Sequence, residues 1–373
     1  MSVRMLTVAC AVLGVATAVP NRAAGRTVPA VALEQVADSS YGCLMCHADK
    51  RRSFTMGIHS ERGIRCHDCH GGDPASFERA AAHAGRFIGN PNKLETIQLC
   101  SHCHADADQM RQYGLPAGQL AEFRTSRHGR LLLQRRDFNA PTCTDCHDAH
   151  TILPPEDVRS NVHPANIAAT CARCHDDETL MGPYGIQVNQ FADYRESAHG
   201  IAVFEEANLA APTCTGCHGS HAALPPGVTE IVNVCDKCHV LVGRGFRQGP
   251  HGKATRDGNL PGCLGCHSNH GTERIAPDSI AVLCTNCHDA ASRAATDGME
   301  LQEAMLHSLR ELAAAETAMA DMSEAGHQVS NERFLYQTAL TSFREMAQVH
   351  HSLDLERLED LSLQLRSNTE RIT

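Results

Sequence analysis

Nine times along this chain two cysteines stand three positions apart with a histidine directly after the second. The pairs are Cys43/Cys46, Cys66/Cys69, Cys100/Cys103, Cys143/Cys146, Cys171/Cys174, Cys214/Cys217, Cys235/Cys238, Cys263/Cys266 and Cys284/Cys287. The histidines are His47, His70, His104, His147, His175, His218, His239, His267 and His288. Two thiols on one tight turn can add to two vinyl groups on one edge of a porphyrin, and the next residue then projects its imidazole onto the iron. Competing chemistries explain less. A disulfide scaffold accounts for an even cysteine count in an exported chain, but not for a histidine after every pair. Zinc uses Cys-x-x-Cys units two at a time, as residues 143–174 could, yet gives no reason for the following histidines. A thioredoxin-like motif needs one such pair in a βαβ setting. The pattern predicts nine covalently attached haem c groups, each with a proximal histidine.

Further histidines recur at fixed offsets and are the candidates for the opposite face of each iron. One class lies upstream of a pair of motifs, in IHS (58–60), SRHG (126–129), SAHG (197–200) and GPHG (249–252), giving His59, His128, His199 and His251. A second class lies three residues after a motif histidine, as in PTCTDCHDAH (141–150), giving His150, His221 and His270. After the motif at Cys66 that position holds Asp73, and His83 in AAAHAG is its replacement. The ninth is taken as His350, ahead of His163, His351, His307 and His327. His67 and His102 sit inside attachment loops and are poor ligands for a second iron. A residue three positions after a proximal histidine stays on that haem's own side. His150 is therefore expected to cross to another haem, most simply that of Cys171 and Cys174, leaving His128 for the haem of Cys143. Two imidazoles and no recurring methionine favour a low potential, and a six-coordinate iron has no open position for substrate.

The elements that must position these groups follow from spacing and composition. Motif starts are separated by 23, 34, 43, 28, 43, 21, 28 and 21 residues, which resolves into one single motif and four pairs. Repetition of this kind indicates an array of similar units. The text between motifs is rich in Gly, Pro, Asn and Asp, predicting loops and short helices with little strand. Among 373 residues there are 19 Cys and 24 His, no Trp and only 4% aromatic residues, so haem rather than large side chains must fill the interior. The fold class is mainly α with irregular loops, a haem-packed core and a C-terminal helical hairpin or three-helix segment. Asp297 with Glu300 is a candidate capping box, followed by Leu301, Met305, Leu309 and Leu312 at helical spacing and Gly326 as a stop. Further helices are predicted over about 331–348 and 352–368. The organisation is 1–18 signal peptide, 19–40 linker, 41–290 cytochrome domain and 291–373 helical segment.

Arg4, the apolar run Met5–Ala16 and the Ala16-Thr17-Ala18 cleavage site make the leader. Its removal deletes Cys10, leaving the eighteen motif cysteines. No later stretch is long and apolar enough to span a bilayer, so a periplasmic or extracellular protein is expected. A net charge of −10 argues against nucleic acid as a partner.

With these motifs in place, residues 43–288 resemble the multihaem c-type cytochromes with paired Cys-x-x-Cys-His motifs, the cytochrome c3-like and doubled-CXXCH proteins. The resemblance implies closely stacked haems along which electrons hop, with distal histidines drawn from the same or a neighbouring repeat. The C-terminal helices resemble those of octahaem hydroxylamine oxidoreductases and pentahaem nitrite reductases, where the tail supports oligomerisation and one haem is catalytic. No motif here ends in lysine, unlike the nitrite reductases. The expected function is an electron carrier between redox proteins such as a quinol dehydrogenase, another cytochrome or a terminal reductase, with a homo-oligomer through the C-terminal helices. The alternative is a multihaem oxidoreductase with one five-coordinate haem acting on a small nitrogen or sulfur compound.

Overall fold

The computed structural model describes residues 41–225, 230–260 and 262–373. The leader 1–18, Cys10 and the linker 19–40 lie outside the described residues. Helices, turns and irregular loops make up the described chain, and it contains no strand.

First and second motifs of a pair are built differently. A first motif is a free-standing turn: Cys66–His70, Cys143–His147, Cys214–His218 and Leu264–His267. In two of these the third residue is an aspartate that accepts the N–H before the turn. Asp68 takes the Arg65 N–H and Asp145 the Thr142 N–H, each at 2.7 Å. A second motif instead ends or follows a helix, as in Lys93–His104, Ile167–His175, Ile231–Cys235 and Ile280–Thr285.

The residue after each first-motif histidine turns the chain sharply. Gly71, Asp148, Gly219 and Ser268 have φ of 70°, 68°, 79° and 59°. Two of them are not glycine, so the turn is kept at a cost in backbone strain. It throws the following residues away from the motif that precedes them.

The upstream histidines sit at a second recurring corner. Helices α1 (Gln119–Thr125), α2 (Gln190–Glu196) and α3 (Val240–Gln248) each end just before one. In the first two, Ser126 and Ser197 break the helix with extended backbone and accept the N–H of Gly129 and Gly200, at 2.9 and 3.0 Å. The next helix then crosses so closely that a Cβ on Gly129 or Gly200 would lie 1.8 or 1.9 Å from the Phe123 or Tyr194 carbonyl. Ser-x-His-Gly is thus a cap, a presented imidazole and a contact only glycine allows.

The C-terminal segment has an ordinary apolar core. It comprises α4 (Arg293–Glu324), α5 (Ser330–Val349) and α6 (Leu355–Thr369), with α5 packed against both others. Leu301, Met305, Leu312, Ala339, Met346, Leu358, Leu361 and Leu365 are buried together. Gly326, at φ 83°, follows the end of α4 as expected. The start was misplaced by the sequence pattern. Ser292 caps α4 through the Ala295 N–H, and Asp297 lies within the helix, paired with Arg293 at 2.5 Å. An i,i+4 ion pair and a capping box present the same acidic residue near a helix start.

Candidate haem sites

Each of the nine motif histidines faces one other histidine. His47 faces His83 with ring centroids 6.3 Å apart, His70 faces His150 at 6.2 Å, and His104 faces His59 at 5.9 Å. His147 faces His221 at 6.0 Å, His175 faces His128 at 6.1 Å, and His218 faces His270 at 5.9 Å. His239 faces His199 at 6.1 Å, His267 faces His351 at 6.1 Å, and His288 faces His251 at 6.0 Å. These rings do not touch. Rings in van der Waals contact sit closer, as His350 and His351 do at 4.0 Å. Two imidazoles on opposite faces of one metal, each bonded at about 2 Å, put their centroids roughly 6 Å apart. The residues present therefore fit haem: one atom's worth of space between two imidazoles, with two thiols beside it. Between His147 and His221 a cleft of about 420 Å³ is lined largely by apolar groups, among them Val162, Pro164, Ile167, Leu209 and Pro212.

Seven of the nine pairs fall into two kinds. A histidine from the upstream corner faces the second motif of its own pair: His59 with His104, His128 with His175, His199 with His239, His251 with His288. A histidine three residues past a motif faces the first motif of the preceding pair: His150 with His70, His221 with His147, His270 with His218. The expected pairings for His150 and His128 are corrected accordingly. The sharp turn after His147 sends His150 back toward His70, and His128 spans its own unit to His175. First-motif pairs are near parallel, at 24°, 13°, 18° and 15°. Three of the four second-motif pairs, those of His104, His175 and His239, are tilted by 47°, 53° and 41°, while that of His288 is near parallel at 27°.

One backbone contact repeats at each joint between units. The N–H before the upstream histidine bonds the carbonyl two residues past the next unit's extra histidine. Ile58 donates to Ile152 at 2.8 Å, Arg127 to Ala223 at 3.0 Å, and Ala198 to Thr272 at 2.9 Å. The fourth corner has Pro250 there, which cannot donate. No Cys-x-x-Cys-His motif follows between His288 and Thr373, and the turn His350–Ser352 packs on that corner instead, with Gly249 against the Ser352 backbone. The C-terminal helices thus occupy the place of a next repeat, as a terminal cap does in a repeat array.

At the ninth position the geometry selects a different residue from the one expected. His351, not His350, faces His267; His350 stacks on His351 and faces no motif histidine. The two are neighbours in one turn, and helical periodicity does not distinguish them. His163 is buried and accepts the Ala165 N–H on Nδ1. His307 lies between Arg366 and Glu311 in the helical segment. His67 takes the Tyr41 hydroxyl at 2.9 Å.

Burial pushes His59, His104, His128, His147, His150, His175, His199, His251, His270 and His351 toward the neutral form, which offers a lone pair to a metal. It pushes His128 down to about 4 and His351 to about 3, with His175 and His350 adding repulsion. Other contacts orient the rings. Nδ1 of His70, His218 and His267 lies 2.8, 3.3 and 3.2 Å from the carbonyls of Ile88, Leu224 and Glu273. Nδ1 of His199 meets the Thr272 hydroxyl at 3.3 Å.

None of the eighteen motif cysteines is joined in a disulfide, and the two positions of a motif differ in exposure. The first cysteine of every motif is half-buried, and the second is exposed in six of the nine: Cys46, Cys69, Cys217, Cys238, Cys266 and Cys287. A single short turn has one side with no chain packed over it, so a thiol there is covered only by the group that bonds to it. Such exposure leaves the sulfur open to a porphyrin vinyl group and is compatible with attachment. Cys103, Cys146 and Cys174 are half-buried. Cys103 and Cys174 belong to the longer helices Lys93–His104 and Ile167–His175, and beside Cys146 the Arg173 guanidinium donates to the Asp145 carbonyl at 2.5 Å.

Thiols of successive motifs lie within electrostatic reach of one another at every junction. Beside the effect of burial, Cys43 raises Cys66, Cys103 raises Cys69, Cys143 raises Cys100 and Cys174 raises Cys146. Likewise Cys214 raises Cys171, Cys235 raises Cys217, Cys263 raises Cys235 and Cys284 raises Cys266. Each of these couplings joins motifs consecutive in the chain.

The family defined by the doubled CXXCH motif matches residues 137–180, which hold the motifs at Cys143 and Cys171. None of the curated proteins compared with the chain matches it. The match supports a multihaem c-type cytochrome, and the motifs are attachment sites for covalently bound haem c. No helix among the described residues is long and apolar enough to cross a membrane.

Proposed function

We propose that this protein is an exported nonahaem cytochrome whose nine bis-histidine haems form one unbranched path in chain order. The observation that carries this is the set of nine facing histidine pairs, one for every motif. Haem c, when bound, supplies one-electron Fe(III)/Fe(II) chemistry. The chain's part is to attach, orient and space. The cysteines fix each porphyrin edge, the motif histidine holds the proximal face, and the facing histidine holds the distal one. The distal set is His83, His150, His59, His221, His128, His270, His199, His351 and His251, in order of their motifs.

The thiol neighbours along the chain support a linear order, with the sites of Cys43 and Cys284 as its two ends. Two ligands per iron leave no position for substrate, which favours electron transfer between protein partners over catalysis. The leader sequence supports export, where haem c attachment and a respiratory partner would be met.

The test is electron paramagnetic resonance on the holoprotein together with a pyridine haemochrome count. Nine haems per chain, all low-spin and unchanged by nitrite, hydroxylamine or sulfite, is the expected result. A high-spin ferric signal that shifts with one of these compounds would overturn the pure carrier in favour of an enzyme.

A further inference from the structure

The four units can be aligned on their upstream histidines, and two positions in the preceding helix then carry information. Five residues before the histidine every unit has an aromatic residue: Phe54, Phe123, Tyr194 and Phe246. Six residues before it the units differ, with Ser53, Glu122, Asp193 and Gly245. In the two middle units this variable position lies against the extra histidine delivered by the next unit. Glu122 Oε2 is 3.7 Å from His221 Nδ1. Asp193 lies beside His270: a Cβ on Gly271 would be 3.7 Å from the Asp193 Cβ, and the carboxylate acts on the His270 ring. Asn189 Nδ2 donates to Asp193 Oδ2 at 2.7 Å and steadies it. At the outer joints the carboxylate at this position is missing. Ser53 offers none near His150, where Lys50 contributes repulsion beside weaker attraction from Asp148 and Asp49. Gly245 offers none near His351 and packs instead on Gln348 and Ser352.

A negative charge behind an imidazole makes it a stronger donor and stabilises the more positive ferric iron on its other side. We propose that Glu122 and Asp193 are positioning residues that lower the potentials of the haems at Cys143 and Cys214 below those of the equivalent haems at Cys66 and Cys263. This rests on the ligand pairs His147/His221 and His218/His270 assigned above. The path then has its more oxidising first-motif haems at the outer joints and its more reducing ones inside. An electron crossing the molecule meets two interior steps set by side chains that touch no iron. Glu122 is half exposed, so solvent screens its charge and the effect is bounded.

The experiment is a spectroelectrochemical titration of the full-length holoprotein, with spin state followed by electron paramagnetic resonance. In Glu122→Gln, the potential of one of nine centres is expected to rise, so that its Fe(III)/Fe(II) ratio at a fixed applied potential falls by up to about tenfold, which is 59 mV for one electron. Asp193→Asn should move a second centre the same way, the double variant both, and Glu122→Asp should recover part of the shift. Ser53→Asp should move one centre downward. All variants should remain low-spin. Glu122→Gln and Asp193→Asn curves that superimpose on the wild type, with all haems low-spin, overturn the proposal and leave the ligand pairs standing. A haem turned high-spin in Glu122→Gln also overturns it, since Glu122 would then hold the ligand in place rather than set a potential. His221→Ala, run alongside, addresses the ligand pair itself: an unchanged spin state there removes His221 from the iron whatever Glu122→Gln does.

Discussion

At the scale of single residues, position three after a motif histidine and the adjacent pair His350/His351 show how finely ligation depends on backbone direction. His147 and His150 are close in sequence, yet they face different partners because Asp148, at φ 68°, reverses the chain between them. His350 and His351 differ by one position on a single 3₁₀ turn, about 120° around its axis, and only the second ring faces His267. Replacing His351 with alanine should therefore convert one of nine haems from low- to high-spin, seen as a new high-spin resonance. His350→Ala should leave the spin-state count unchanged. A high-spin haem in His350→Ala and none in His351→Ala would reverse the assignment. Asp148 itself carries strain, since φ 68° with ψ 170° belongs to glycine. Asp148→Gly should be neutral or stabilise by about 1 kcal/mol, measured as a raised denaturation midpoint.

At the scale of elements, the corner before each upstream histidine is the rigid part of a unit. Its serine cap, histidine and glycine were all visible in SRHG and SAHG, but the purpose of the glycine was not. It lies in a contact between residues six apart, where the helix after the corner crosses the one before it. Gly200→Ala would drive a Cβ to 1.9 Å from the Tyr194 carbonyl, so the backbone must shift. The expected cost is about 1–3 kcal/mol, read as a lowered midpoint in chemical denaturation. A Gly200→Ala protein as stable as the wild type would remove the close contact from the account. The C-terminal helices behave as ordinary protein. Their stripes of Leu and Met were legible because burial against partner helices imposes the 3.6 period. Leu361, 1% exposed, should cost about 2–5 kcal/mol when cut to alanine, without altering the haem count.

At the scale of the whole molecule, two regions draw stability from different sources. Residues 41–290 bury few large apolar side chains for their length, Ile97, Leu131, Leu132, Leu153, Ile167, Met181, Val203, Val232 and Phe246 among them. The helical segment has a contiguous Leu and Met core. Preventing haem attachment, by replacing all eighteen motif cysteines, should leave residues 41–290 without their main buried surface. The helices after 292 should keep much of their circular dichroism, while amides of the haem region lose protection in hydrogen exchange. Equal protection in both regions of the haem-free chain would show that haem is not the core. The same contrast explains the place of His351. A repeat array exposes an unfilled joint at its end, and here a helical cap fills it with the ligand that a further repeat would have delivered.

The amino-acid sequence by itself determined what each site is made of. Attachment is local chemistry, and Cys-x-x-Cys-His carries it within five residues. Recurrence at fixed offsets was enough to select His59, His128, His150, His199, His221, His251 and His270, because equivalent units reuse equivalent positions, whereas His83 was chosen only to stand in for the histidine missing at Asp73. What only the tertiary structure decided is which ring faces which, and which thiol of a motif lies at the surface. That depends on four sharp turns, on the joints between units, and on a C-terminal cap with no counterpart among the repeats. None of these is a local property. A histidine's partner lies up to 84 positions away, as His351 does from His267, and its direction is set by backbone torsions and by packing that no spacing records.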